Sequence, residues 1–220
     1  MSRARSHWGW GWADKFPDAA GQAALGGQLK ALLGYAPAAP ARPVPLDAVA
    51  LPNTRLTLPA ACAPFTQTDA EARIRHAHGR SFPDQWRGFH GEFSAPDAVA
   101  TPRTEADIER LFEWAAQADA ALIPFGGGTS VVGGVTRPRD ARPVITVSMA
   151  AFDQVLEVDP TSRLARAQAG LLGPALEAQL AEHGLTLRHF PQSFEFSTVG
   201  GWLATRAGGH FATRYTHIDD

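Results

Sequence analysis

The chain has 220 residues, 45% of them hydrophobic and 19% charged, which suits one large domain or one domain with an extension. With 20 Lys and Arg against 22 Asp and Glu, a net charge of −2 offers no electrostatic footprint for nucleic acid. The single cysteine, Cys62, excludes an internal disulfide or a cysteine-rich metal site.

The N-terminus, MSRARSHWGWGWADKFPD, has no apolar signal core, and nothing later approaches 18 uninterrupted apolar residues. A cytoplasmic protein without a transmembrane segment is therefore expected. Trp8, Trp10 and Trp12 alternate as in a strand, and packing onto the main domain is expected of them rather than a partner-binding stripe. Leu25 to Leu33 can form a helix, and Ala36 to Pro45, APAAPARPVP, must run extended as a linker because its prolines lock φ and lack a donor. In RIRHAHG (Arg73–Gly79), His76 and His78 would share one face of a strand. No third ligand follows at metal spacing, so a structural role is expected and no metal site is assigned.

From Ala98 the pattern becomes regular. AVATP predicts a short strand, and Thr104 with Asp107 three residues on forms a capping-box pattern. The helix that follows should turn Ile108, Leu111, Phe112 and Ala115 inward. ALIPF (Ala121–Phe125) predicts a buried strand that runs straight into glycines. VITVSM (Val144–Met149), VLEV (Val155–Val158) and LARAQAG (Leu164–Gly170) predict three more strands, with Asp159 to Ser162 turning between the last two. A helix should begin near Pro174, bury Leu176 and Leu180 and stop at Gly184, and LTLRHF (Leu185–Phe190) predicts a final strand. This order is α+β rather than a strict parallel βαβ array.

Five of the nine residues from Gly126 to Gly134 are glycine, with Thr129 and Ser130 between the clusters. A diphosphate needs several backbone N–H groups converging on its oxygens, and glycine removes the side chains that would block them. The triphosphate loop is excluded because no lysine lies nearby, and G-x-G-x-x-G is broken at Val131. A tight connection between two strands stays open as the alternative. A second segment, HFPQSFEFSTVGGWLATRAGGHFATRYTHIDD, adds hydroxyls from Ser193, Ser197, Thr198 and Thr205, two glycine pairs and Arg206, a composition that suits a wall around a phosphorylated ligand. A mobile loop would share that composition.

PFGGGTSVVGG, SFEFSTVGGWLATRAGG and RIRHAHG together resemble the FAD-linked oxidases of the vanillyl-alcohol-oxidase superfamily, with the PCMH-type FAD-binding domain. The chain is most similar to their alkyldihydroxyacetonephosphate synthase branch, and its opening WGWGWADKF resembles the start of that branch. The resemblance implies FAD as cofactor and three stretches of contact. The first is Pro124, Phe125, Gly126, Gly127, Gly128, Thr129 and Ser130, around the pyrophosphate. The second is Gln192, Ser193, Phe194, Glu195, Phe196, Ser197 and Thr198, with Gln192 where the synthases usually carry Asp. The third is Thr205, Arg206, Ala207 and Gly208, with Gly208 where they tend to carry Ser.

The implied fold is a two-subdomain FAD module, its first subdomain about Ala98 to Ser148 and its second starting near Ala151. Residues 1–45 would be an N-terminal extension and Pro-rich linker, 46–97 a lead-in segment and 98–220 the FAD-binding domain, incomplete at its C-terminal side. The substrate cap and its catalytic residues would lie beyond Asp220, so no catalytic residue is assigned. The resemblance implies exchange of an acyl group on dihydroxyacetone phosphate for a fatty alcohol through a flavin adduct. A small-molecule substrate is the expected partner, homodimerisation is left open, and no covalent flavin link is assigned to His189, His210 or His217. Two rivals stand: an FAD-dependent 2-hydroxy acid dehydrogenase or oxidase of the D-lactate or glycolate type, and a truncated, non-catalytic FAD-binding fragment. Gly127→Val is expected to abolish FAD binding in a chain that still folds, by filling the phosphate's place.

Overall fold

Strands β2 (Ala98–Ala100) and β4 (Val144–Ser148) are buried along their whole length, and they form the middle of a four-stranded sheet. The chain is described by a computed structural model over residues 3–34, 40–138, 142–210, 212 and 217–219. The sheet order is β1-β2-β4-β3, with β1 (Thr66–Gln67) antiparallel to β2 and with β2 and β3 (Ala121–Phe125) both parallel to β4. Strands buried on both faces read as short apolar runs rather than alternating ones, and VITVS and AVA do so.

Three α-helices precede β2 in the chain. Helix α1 (Ala19–Leu33) is capped by Asp18, whose carboxylate accepts from the Gly21 amide, and it ends at Gly34 in the left-handed region. Helices α2 (Ala70–Arg75) and α3 (Phe82–Phe89) follow, each started by a capping side chain, Asp69 and Ser81. Helix α4 (Glu105–Gln117) begins in the expected capping box of Thr104 and Asp107. It buries Leu111, Trp114 and Ala115, whereas Phe112 is 62% exposed, so Trp114 takes the inward position expected of Phe112. The core of this half gathers Leu56, Cys62, Ala98, Ala100, Leu111, Trp114, Ile145 and Val147.

The second half is smaller. Strands β5 (Val155–Asp159) and β6 (Leu164–Ala167) pair antiparallel around a turn in which the Asp159 carboxylate accepts from the Thr161 and Ser162 amides. Helix α5 (Gly173–Ala181) carries Pro174 in its first turn and buries Leu176 and Leu180, and Gly184 turns the chain in the left-handed region just beyond it. Helix α6 (Val199–Thr205) places Trp202 against Leu171, Leu176 and Leu180 as a second core. The strand expected over Leu185–Phe190 is not formed: the segment runs without regular structure, because Arg188 turns into the left-handed region (φ 59°) and its amide donates to the Glu177 carboxylate and the Thr186 hydroxyl instead of to a neighbouring strand. The α+β architecture is present as read, and no helix among the described residues is long and apolar enough to cross a membrane.

One ion pair, buried at its carboxylate and half-exposed at its guanidinium, ties the segment before β1 to the strands β2 and β4. Asp97, 2% exposed, accepts from the Arg55 amide, from Arg55 Nε and Nη2 at 2.8 and 2.7 Å, and from the Val144 amide at 2.9 Å. Burial raises the Asp97 pKa, but the Arg55 guanidinium and the two amides outweigh it and hold the carboxyl at about 2.

Candidate functional site

The glycine loop leaves β3 at Phe125, beside the last residue of β4, Ser148. It therefore opens at the carboxyl ends of two parallel strands, where ligands of such sheets bind. Among the described residues, no protein group accepts from the backbone amides of Gly126, Gly127, Gly128, Thr129 and Ser130. Five successive donors without a protein acceptor are what an anion's oxygens require. Gly128 holds φ at +65°, and a Cβ there would overlap the Phe125 ring. The Ser130 hydroxyl accepts from the Gly134 amide at 2.9 Å and so closes the loop on itself.

Gly126 and Gly127 face the second predicted stretch directly. A Cβ on Gly126 would overlap the Thr198 hydroxyl, and one on Gly127 would overlap the Phe196 carbonyl oxygen and lie 2.7 Å from its carbon. This corrects the expectation for Gly127→Val. The Gly127 Cα is turned to the backbone of Phe196 and Ser197, so a side chain there separates two halves of the chain before it meets any ligand.

The stretch from Gln192 to Thr198 is knitted mostly to itself. The Ser193 carbonyl accepts from the Phe196 and Ser197 amides and from the Ser197 hydroxyl. The Ser197 oxygen in turn accepts from the Trp202 indole N–H at 2.7 Å. Ser197 is 4% exposed, so its hydroxyl serves the second core. Ser197→Ala leaves the buried indole N–H without a partner, and chemical denaturation should show a loss of about 1–3 kcal/mol. Thr198 caps α6 by accepting from the Gly201 amide. The next two amides of α6, on Val199 and Gly200, donate to the Leu171 and Ala169 carbonyls, so that helix end is spent within the fold. Gln192 and Glu195 are exposed, and Phe194 packs near Phe190 and Trp202.

Pro124, exposed at the end of β3, starts the first stretch. Pro124–Ser130 and Gln192–Thr198 are brought into contact, whereas Thr205 to Gly208 lie at the far end of α6. There the Thr205 hydroxyl donates to the Gly201 carbonyl, and Arg206 pairs with Asp219 at the surface. Ala207 packs with the second core, and Gly208 lies beside the His217 ring.

Two segments outside the predicted stretches hold the glycine loop in place. In the first, Arg80 donates its amide to the Ser130 carbonyl at 2.6 Å, and a Cβ on Gly79 would overlap that same carbonyl oxygen. His76 and His78 are not in a strand. His76 follows α2, with its Nδ1 at 2.8 Å from the Ala72 carbonyl and its ring on Phe125, and His78 stacks on Phe93. Burial lowers the pKa of both rings, which keeps them neutral near pH 7.

The second segment is the N-terminus. Arg5 Nη1 donates to the Gly127 carbonyl at 2.6 Å, and the guanidinium lies over the Phe196 ring at 4.7 Å. Trp12 donates its indole N–H to Glu195 at 2.7 Å and packs edge-on to Phe196, as Trp10 does. Trp8 packs instead on Phe16 and Phe89. The three tryptophans thus pack onto the body of the chain as expected.

These walls enclose a cleft of about 570 Å3 whose lining includes Arg5, Arg80, Gly126, Gly127, Ser148 and Thr198. Burial lowers the Arg5 pKa against an opposing pull from Glu195. Burial, and next the neighbouring Arg5 charge, lower Arg80 to about 10, so both remain protonated at neutral pH. Sequence reasoning missed Arg80 and takes Arg5, with Arg3, as a minor charge cluster at a solvated terminus, which the bond from Arg5 to the Gly127 carbonyl corrects. The only signal was their place in the WGWGWADKF and RIRHAHG surroundings, which says nothing of proximity.

The profile of the FAD binding domain family matches residues 96–220. Alkyldihydroxyacetonephosphate synthase from Dictyostelium discoideum is 40% identical over 153 residues, 69% of this chain and 25% of that protein. Glycolate oxidase subunit GlcD from Bacillus subtilis is 30% identical over 122 residues, 56% of this chain and 25% of that protein. A solved structure of alkyldihydroxyacetonephosphate synthase superposes with a TM-score of 0.75 at 33% identity, over 81% of this chain and 36% of that one. The chain thus spans about a quarter of the length of these two curated relatives.

Proposed function

From its membership of the FAD binding domain family, to which the chain belongs through residues 96–220, we propose that it is the FAD-holding part of an enzyme like alkyldihydroxyacetonephosphate synthase. Such an enzyme exchanges the acyl group on dihydroxyacetone phosphate for a fatty alcohol. The observation that carries the cofactor assignment is the run of five amides, Gly126 to Ser130, that have no acceptor among the described residues, in a loop whose Gly126 and Gly127 line the cleft. In this reading those amides bind the diphosphate. Pro124 and Phe125 anchor the loop, and Gln192–Thr198 forms the opposite wall. Thr205, Arg206, Ala207 and Gly208 extend that wall from the far end of α6. Bound FAD supplies the ring that takes up and returns an electron pair, and the protein contributes binding, orientation and exclusion of water.

The division proposed with this function is 1–45 as extension and linker, 46–97 as lead-in and 98–220 as the flavin module. A cap domain would complete the substrate site for a small-molecule substrate, homodimerisation stays open, and the cytoplasm is the proposed location. To test the function, the purified chain is incubated with FAD and freed of excess by gel filtration. Flavin absorbance should travel with the protein, and a colourless protein peak overturns the proposal. Anaerobic bleaching of the retained flavin by D-lactate or glycolate would favour the 2-hydroxy acid reading, which the similarity to the glycolate oxidase subunit keeps in play.

A further inference from the structure

We propose that Arg5, carried by the N-terminal segment, and Arg80 supply the positive charge that neutralises the diphosphate bound at Gly126–Ser130, which makes the N-terminus part of the cofactor site. This rests on the reading of the glycine loop as the FAD site. Both arginines line the cleft that Gly126 and Gly127 line, although both lie outside residues 96–220.

Their bonding is unusual for guanidiniums that are buried, as Arg80 is, or half-buried, as Arg5 is. Arg5 donates to the Gly127 carbonyl, and Arg80 to the Gly79 and Ser6 carbonyls at 2.8 and 3.1 Å. Neither forms a salt bridge to a carboxylate among the described residues, and the Nε of each is buried without a partner. Arg80 is 7% exposed. Buried charge bonded only to neutral carbonyls is costly, and an anion placed in the cleft would offset that cost. Arg75, beside them, is already paired with Glu71 at 2.8 Å. Asp153 also lines the cleft, so three guanidiniums face two carboxylates there.

Arg5 is also the better oriented of the two. Its plane is fixed over the Phe196 ring while Nη1 holds the Gly127 carbonyl, and the segment that carries it is pinned by Arg75 donating to the Arg5 carbonyl at 2.9 Å. The guanidinium charge, unpaired with any carboxylate among the described residues, is thereby held beside the loop whose amides also lack acceptors. The WGWGWADKF stretch then has a purpose beyond packing: Trp10 and Trp12 hold the segment on Phe196 and so keep Arg5 at the loop.

The test measures binding of FAD, riboflavin and inorganic pyrophosphate to the whole chain and to its Arg5→Ala and Arg5→Gln variants. Glutamine can still donate to the Gly127 carbonyl but carries no charge, so it separates charge from packing. Both variants should bind FAD and pyrophosphate at least tenfold more weakly while riboflavin affinity stays within twofold, and added salt should narrow the gap. FAD affinity unchanged in both variants, or riboflavin weakened as much as FAD, overturns the proposal. If the wild type binds pyrophosphate in an Arg5-dependent way but takes up no FAD, the charge site stands and the FAD reading falls. If it binds FAD without regard to Arg5, the reverse holds, and binding of neither ligand by the wild type ends both.

Discussion

Gly127→Ala should unfold the contact between the glycine loop and the 193–198 segment and abolish FAD retention, although it adds only one methyl group. The methyl would overlap the Phe196 carbonyl oxygen and lie 3.1 Å from the Ser197 Cα. Both neighbours are backbone, so no rotamer change relieves the clash. Overpacking of this kind costs about 3 kcal/mol or more. For a chain of this size that corresponds to a Tm lower on the order of 10 °C. Gly27→Ala in α1 is the matched control, because a Cβ there meets nothing within 4 Å. It should leave Tm unchanged or raise it, since alanine loses less backbone entropy in a helix. A Gly127→Ala protein that melts with the wild type and keeps its flavin would show that the loop does not rest on Phe196.

Asp97→Ala should lose about 1–3 kcal/mol, because it leaves the buried Val144 amide without its acceptor and releases the half-exposed Arg55 guanidinium. The same residue makes part of the stability depend on pH. Its carboxyl titrates at about 2 in the folded chain against 3.8 ordinarily, a depressed value. The stabilisation it brings is therefore complete above pH 4 and is lost as pH falls from about 4 through 2. The difference in pKa corresponds to about 2 kcal/mol. Asp97→Asn keeps the shape but not the titration. Urea unfolding of wild type and variant between pH 5 and pH 2 should converge towards acid, and parallel curves would remove Asp97 from the acid response. Asp14, Asp107, Asp159 and Asp219 also titrate low, but they are common to both proteins and cancel in the difference.

The two variants act on different kinds of information in the chain. The Thr104 and Asp107 capping box, the β3 strand ending at Phe125 and the turn at Asp159 were all readable, because each is settled within a few residues. The short helices α2, α3 and α6 left weaker signals. Each is eight residues or fewer, too short for hydrophobic periodicity to develop. LTLRHF failed for another reason: its pattern suits a strand, but Arg188 within it turns into the left-handed region and gives its amide to the Glu177 carboxylate.

By itself the sequence determined the α+β class, the strand–glycine–strand passage around Gly126–Ser130 and the identity of the segment that faces it. Those follow from backbone freedom and from side chains that act on their own neighbourhood. Only the tertiary structure decided that Gly127 is turned to Phe196, that Ser197 serves Trp202, and that Arg5 reaches across 122 positions to the Gly127 carbonyl. A close approach between distant segments is set by how two cores pack, and no local propensity encodes it. The backbone freedom of the glycine loop is thus readable from its composition, while the arginines beside it become visible only once the chain has folded.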